Sequence, residues 1–188
     1  MSCLIIYQSK SGYTEGFMHL LSEQYPATLT TLKEAQGVDL FKYDCVVFAA
    51  GVYAGKISGL KRFQKMLEVN KLKKLAIIAV GAAGPSSALR EKLVNANNIA
   101  TVFNTETSEQ SHHNKQFFYL QGGFDPERLN FALKTMLGMV SKNLHKKQLK
   151  DPASLTEEDR DFLAFFQTAN DHTSKEQLRE VVDFLSVH

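Results

Sequence analysis

The sequence is poor in the features that assign a function class directly. Only two cysteines, Cys3 and Cys45, occur in 188 residues. Both lie in apolar runs and fit no metal-ligand spacing, so they read as reduced core thiols rather than a disulfide scaffold or a zinc site. No apolar stretch reaches the roughly 18 residues of a membrane span, and Met1 leads into a strand-like run without a basic leader. The expectation is a cytoplasmic protein. An excess of one charge is also missing, since the net charge is +2 with 22% charged residues, and nothing global points to nucleic acid. Neither G-x-G-x-x-G nor G-x-x-x-x-G-K-[ST] is present, which disfavours nicotinamide dinucleotides and nucleoside triphosphates in their usual modes. There is no G-x-S-x-G elbow, and the ends of the first and third strands lack the acidic residues of a phosphoacceptor site. Internal repeats and low-complexity tracts are absent.

What is present is alternation. Cys3 to Tyr7, Cys45 to Ala50 and Leu75 to Val80 are short, continuously apolar and rich in β-branched residues, as strands buried on both faces should be. Between them, Phe17, Leu20, Leu21 and Tyr25 fall on one helical stripe. Leu60, Phe63 and Leu67 form a second, and Leu89, Leu93 and Ala96 a third. A weaker strand spans Thr28 to Leu32, and a last one is split between Ala100 to Phe103 and Gln116 to Leu120. Short right-handed crossovers then predict a doubly wound α/β fold. Its five-stranded parallel sheet has the order 2-1-3-4-5 and helices on both faces, with ligands beyond the carboxyl ends of the strands.

A helix is predicted from Asp125, with Pro126 at its first position, to about Leu144. Its apolar face, which includes Leu129, Phe131, Leu133, Met136, Leu137, Met139 and Val140, is broad enough to require cover. The tail supplies candidates: Thr156 with Asp159, and Ser174 with Gln177, resemble capping boxes ahead of two short amphipathic helices. The chain therefore divides into a core domain, residues 1–147, and a C-terminal helical extension, residues 148–188, packed on it.

The chemistry concentrates in the turn after the first strand, YQSKSGYTEGF. Ser9, Ser11 and Thr14 surround Gly12 where a strand hands over to a helix. Small and hydroxyl-bearing residues there let backbone N–H groups turn inward, and the helix adds the positive end of its dipole. Hydroxyls and the amides from Lys10 through Tyr13 to Thr14 can then hold a phosphate without an arginine, whether or not the Lys10 side chain joins in. The third strand opens into Gly51, Val52, Tyr53, Ala54 and Gly55, where glycines admit close approach and Tyr53 offers a face for stacking. After the fourth strand, Gly81, Ala82, Ala83 and Gly84 are small enough to admit a ring edge or simply to let helix and strand approach. His112 and His113 stand in a polar insertion, Asn104 to Lys115, with no other ligands at metal spacing, so no metal is expected.

The pattern Ser9-x-Ser11-Gly12-x-Thr14 resembles the flavodoxin phosphate loop, with Ser at two places where Thr is usual. Tyr53-Ala54-Gly55 resembles the isoalloxazine loop of the same superfamily, and the resemblance covers about the first 145 residues. Phe117 to Gly123, leading into a helix with an extension beyond it, is similar to the branch containing menaquinone-dependent protoporphyrinogen dehydrogenase. The resemblance implies FMN as cofactor, with a quinone, a porphyrinogen or a redox partner protein as partner. It also implies that Tyr53 packs on the ring and that Gly55 lets a peptide reorient on reduction. Three classes of function fit: an FMN oxidoreductase, an electron carrier for a protein partner, and a binding module without cofactor. The chain departs from acidic shuttle flavodoxins in being near neutral. Lys142, His145, Lys146, Lys147 and Lys150 read more naturally as a solvated helix end than as a membrane-surface dock. The third loop lacks the aromatic that often stacks on flavin, and the oligomeric state, including a homodimer, stays open.

Overall fold

The computed structural model describes residues 2–67, 72–103, 114–128, 131–156, 159–160, 163 and 169–187. Five strands form the parallel sheet: β1 (Cys3–Gln8), β2 (Thr28–Thr31), β3 (Cys45–Tyr53), β4 (Leu75–Gly81) and β5 (Lys115–Gln121). Their order is β2-β1-β3-β4-β5, the predicted 2-1-3-4-5, and Lys56–Ile57 adds a short antiparallel partner to the end of β3. The fold is therefore a flavodoxin-like α/β sheet.

Alternation along the strands assigns the two layers. Leu4, Ile6, Val46, Phe48, Leu75, Ile77 and Phe117 bury one face, with Leu60 and Phe63 of α2 (Leu60–Gln64), Leu93 of α3 (Ser87–Ala96) and residues of α4 (Ile99–Phe103). Phe48 and Phe63 stack there with ring centroids 4.3 Å apart. Cys3, Ile5, Cys45, Val47, Ala76, Ile78 and Phe118 bury the other face, against Phe17, Met18 and Leu21 of α1 (Tyr13–Gln24). Each such large side chain, once fully buried, stabilises the fold by about 1.5–3 kcal/mol.

Two expectations fail here. Ala100 to Phe103, predicted as half of a split strand, is helical, because Ile99, Val102 and Phe103 bury at i, i+3 and i+4 while Ala100 and Thr101 face outward. Most of the insertion that follows, including His112 and His113, lies outside the described residues. The last helix, α6 (Arg179–Ser186), is predicted on the apolar face of the helix after Asp125. It instead places Val181, Phe184 and Leu185, with Leu178 just before it, in the core cluster beside α1. There it completes the second helical layer.

The chain divides into two compact units, residues 1–122 with 173–188, and residues 123–172. In the second unit Gly123–Phe124 pairs antiparallel with Asn170–Asp171, and α5 runs from Phe131 to Lys150. The boundary expected at 147/148 falls inside that helix. Asp125 caps a turn rather than the helix, its Oδ1 accepting from Glu127 N at 2.8 Å. Helix-favouring Lys, Gln and Leu carry α5 six residues past Leu144. Met139 and Val140 are exposed on it. Thr156 and Asp159 do form a reciprocal capping box, at 3.2 and 3.1 Å, and Asp159 also takes an ion pair from Lys147 at 2.8 Å. The predicted helix through Phe162, Phe165 and Phe166 lies largely outside the described residues.

Candidate cofactor-binding site

The loops after β1, β3 and β4 all leave the carboxyl edge of one sheet, within the first unit. The sheet reverses its strand order between β1 and β3, since β2 lies on one side of β1 and β3 on the other. A ligand in such a sheet sits at that reversal.

The first loop is built around Gly12, whose φ of +91° only glycine adopts without strain. It is the N-cap of α1, and its N–H donates to Ser9 Oγ at 3.1 Å. That bond tightens the loop while leaving the Ser9 proton available to donate. Thr14 is buried, at 3% exposure, and Tyr13 packs its side chain inward, where a Cβ at Gly122 would meet it at 3.1 Å. Tyr13 thus offers the site only its backbone. The carboxylate of Glu15, in the first turn of α1, accepts from the Tyr7 hydroxyl at 3.1 Å.

Tyr53 closes over this loop from β3. Its ring lies against Gly51, where a Cβ would come within 3.0 Å of it, and its hydroxyl hydrogen-bonds the Ser11 hydroxyl. Burial raises the Tyr53 pKa, and the Ser11 bond works in the opposite direction. The Lys10 ammonium stands 4.7 Å from the Tyr53 ring centroid, so this side chain covers an aromatic face. Val52 packs partly into the core and brings only its backbone.

Ala54 and Gly55 form a two-residue hairpin with φ of +48° and +73°, between paired Tyr53 and Lys56. Asn97, which follows α3, clamps this hairpin. Its Oδ1 accepts from Ile57 N at 2.9 Å, and its Nδ2 donates to Gly55 O at 3.0 Å. Past the hairpin, Gly59 has φ +75° and a Cβ there would lie 2.2 Å from Gln8 Oε1. Gln8 Nε2 in turn donates to Ser58 Oγ at 2.8 Å.

The third loop has an aromatic that sequence reasoning missed. Tyr119 of β5 lies over Gly81, where a Cβ would fall 2.4 Å from its hydroxyl, and that hydroxyl donates to Ala83 O at 2.7 Å. Burial pushes its pKa up to about 12. Gln121 Nε2 reaches Ala82 O at 3.4 Å. Gly84 is open, with nothing nearer to an added Cβ than Gln121 Oε1 at 3.9 Å. The only signal for Tyr119 in the sequence is its place in the alternation Phe117, Tyr119, Gln121.

A phosphate fits the first loop: a left-handed glycine, three hydroxyl-bearing residues and the start of a 12-residue helix lie in it, and the nearby carboxylate is engaged elsewhere. Among the described residues no group of three His, Cys, Asp or Glu could hold a metal. No helix among them is long and apolar enough to cross a membrane.

Residues 4–151 match the flavodoxin domain family, and the chain belongs to it. No curated protein matches the chain. Among solved structures it is similar to the Trp repressor binding protein from Bacillus subtilis, at 16% identity over 65% of this chain and 83% of that one, with a TM-score of 0.46. It is similar to a flavodoxin, WrbA-like protein from Agrobacterium tumefaciens, at 16% identity over 54% and 72%, TM-score 0.42. A third is a flavoprotein in complex with FMN from Lactobacillus acidophilus, at 15% identity over 63% and 91%, TM-score 0.41.

Proposed function

We propose that this protein binds FMN and passes electrons between a reduced donor and a quinone- or porphyrinogen-type acceptor. The observation that carries the reading is the Ser9-to-Thr14 loop, wound around left-handed Gly12 at the point where strand order reverses. In this reading the hydroxyls of Ser9, Ser11 and Thr14, with first-turn amides of α1, take the phosphate. With the Lys10 side chain displaced from it, Tyr53 gives a face to the flavin ring, and the main chain at Ala54 and Gly55 borders its edge. The open third loop, Ala82 to Gly84, lines the other side, held in place by Tyr119 and Gln121.

When bound, FMN supplies hydride and single-electron chemistry. The protein then needs no nucleophile and no general acid of its own. Its own work is placement. The acceptor class rests on the Phe117-to-Gly123 resemblance and on the chain's near-neutral charge, which differs from that of an acidic shuttle.

The test is the chromophore. Purified protein should carry FMN, or take it up from solution with a matching change in flavin absorbance and fluorescence. A colourless preparation that refuses added FMN would overturn both the cofactor and the redox function. With FMN bound, turnover of a soluble quinone or porphyrinogen should exceed reduction of a protein acceptor. The reverse preference would replace the enzyme with an electron carrier.

A further inference from the structure

Cys3 and Cys45 open β1 and β3 and are direct partners in the parallel register. Both side chains point to the same face of the sheet and belong to one core cluster, at 3% and 0% exposure. Adjacent strands lie about 4.8 Å apart, inside the ~4.4–6.8 Å Cα separation that a disulfide spans. The thiols already hydrogen-bond to one another, and that bond favours the thiolate at Cys3 and raises the pKa of Cys45. Cys3, at 3% exposure against 0% for Cys45, is the sulfur a peroxide reaches first, and Cys45 is the one left to resolve it.

Their surroundings converge on the end of α6. Lys74, only 5% exposed, donates to Phe184 O at 2.8 Å and to Val187 O, and its ammonium lies 4.9 Å from the Phe184 ring centroid. The Tyr25 hydroxyl donates to Leu185 O at 3.2 Å. Tyr25 lies close enough to both thiols to feel their charge, and Cys45 feels that of Lys74. The same two side chains therefore anchor the C-terminal helix and border the dithiol. The site lies at the amino end of strands whose carboxyl ends bear the loops described above, about 17 Å away along β1 at ~3.3 Å per residue.

We propose that Cys3 and Cys45 form a dithiol–disulfide couple, oxidised by hydrogen peroxide beneath the C-terminal helix. The Cys3 thiolate attacks one peroxide oxygen, breaking the O–O bond. It becomes a sulfenic acid, and the departing hydroxide takes up a proton as water. The Cys45 sulfur then attacks the Cys3 sulfur. An S–S bond forms, the S–O bond breaks, and the hydroxide leaves as a second water with the Cys45 proton. Two thiols and one peroxide give one disulfide and two waters, with two electrons passing from the thiols to the peroxide. The sulfurs draw together from hydrogen-bond distance, and the floor on which Phe184 and Leu185 pack shifts with them. α6 is the cover that limits access, and Lys74 its principal hook.

The experiment treats the full-length folded protein with hydrogen peroxide and follows thiols, intact mass and peptide maps. The expected result is loss of both thiols together, a mass lower by two hydrogens and a Cys3–Cys45 cross-linked peptide. Amide exchange in residues 179–187 should rise on oxidation and fall back on reduction. Lys74→Gln should oxidise several-fold faster because the helix end is released. Three results would overturn the couple: thiols that stay free in folded protein, oxidation of one cysteine to sulfinic acid without a cross-link, or a disulfide only between chains. An unchanged rate in Lys74→Gln would overturn the role of α6 as cover. None of these readouts depends on bound flavin.

Discussion

Asn97 holds the Gly55 hairpin from across the loop: its amide nitrogen donates to Gly55 O at 3.0 Å while its oxygen accepts from Ile57 N at 2.9 Å. One side chain thus replaces two main-chain partners, and it also closes the end of α3 through Leu93 O at 2.9 Å. Removing it leaves partly buried backbone groups unpaired, at about 1–3 kcal/mol. Asn97→Ala should lower stability by that order in a urea titration and weaken FMN binding further. Unchanged stability would mean that the hairpin holds itself.

The Gly55 carbonyl is engaged by Asn97, so the Ala54–Gly55 peptide is the one left to reorient. Gly55→Ala meets no atom within 4 Å, and its cost is purely conformational because φ is +73°. A penalty of about 1 kcal/mol is expected. If it falls unequally on oxidised and reduced protein, the flavin midpoint potential shifts by tens of millivolts, since ~1.4 kcal/mol is 59 mV for one electron. Redox titration of wild type and variant checks this, and equal potentials would remove the peptide switch while leaving FMN binding intact.

Ser11→Ala with Thr14→Ala should weaken FMN binding through the phosphate. A hydrogen bond to a charged group contributes about 1.5–3 kcal/mol, a factor of roughly 10 to 150 in affinity for each bond lost. Riboflavin, which lacks the phosphate, should bind wild type and variant alike. A variant with undiminished FMN affinity would move the phosphate elsewhere.

Gly59 makes a test of packing that is independent of any ligand. An alanine there combines a left-handed φ with a Cβ 2.2 Å from Gln8 Oε1 and 2.6 Å from Leu32 Cδ2. Gly59→Ala should destabilise by about 1–3 kcal/mol. Gly16→Ala, whose Cβ meets open space inside α1, should instead stabilise by up to ~1 kcal/mol. Thermal unfolding of the two variants separates the predictions by sign.

Tyr119 gives a pH dependence. Its folded pKa is raised from the usual 10 to about 12 by burial. The unfolded chain therefore loses this proton first, and the stability it confers, fully present below pH 10, is lost as pH rises toward 12. Tyr119→Phe should flatten that part of the stability curve and, by freeing Ala83 O, loosen the third loop. A curve as steep as wild type would assign the alkaline limb to other groups.

Strands, helical stripes and the hydroxyl loop were legible in the sequence because each is a local pattern. Period two and period 3.6 are set by backbone geometry within a few residues. The glycine at position 12 needs only its own φ and the strand and helix on either side. Ala100 to Phe103 misled because a short apolar run has too few residues to show its period, and only the burial of Ile99, Val102 and Phe103 identifies a helix.

What tertiary structure decided lies between residues far apart in the chain. Tyr119 reaches Ala83 across 36 positions, Asn97 reaches Gly55 across 42, and Gln177 reaches Gln121 across 56, pairing with both its N–H and C=O. Cys3 meets Cys45 only because β1 and β3 are neighbours in register. The place of α6, expected on the helix after Asp125 and found beside α1, was misjudged for the same reason, since an amphipathic helix specifies that it must bury a face and not which surface receives it. The local code set the parts and the hydroxyl-bearing loop around Gly12. The order of strands, fixed by packing of the whole sheet, set which side chains stand beside that loop and which lie beneath the last helix.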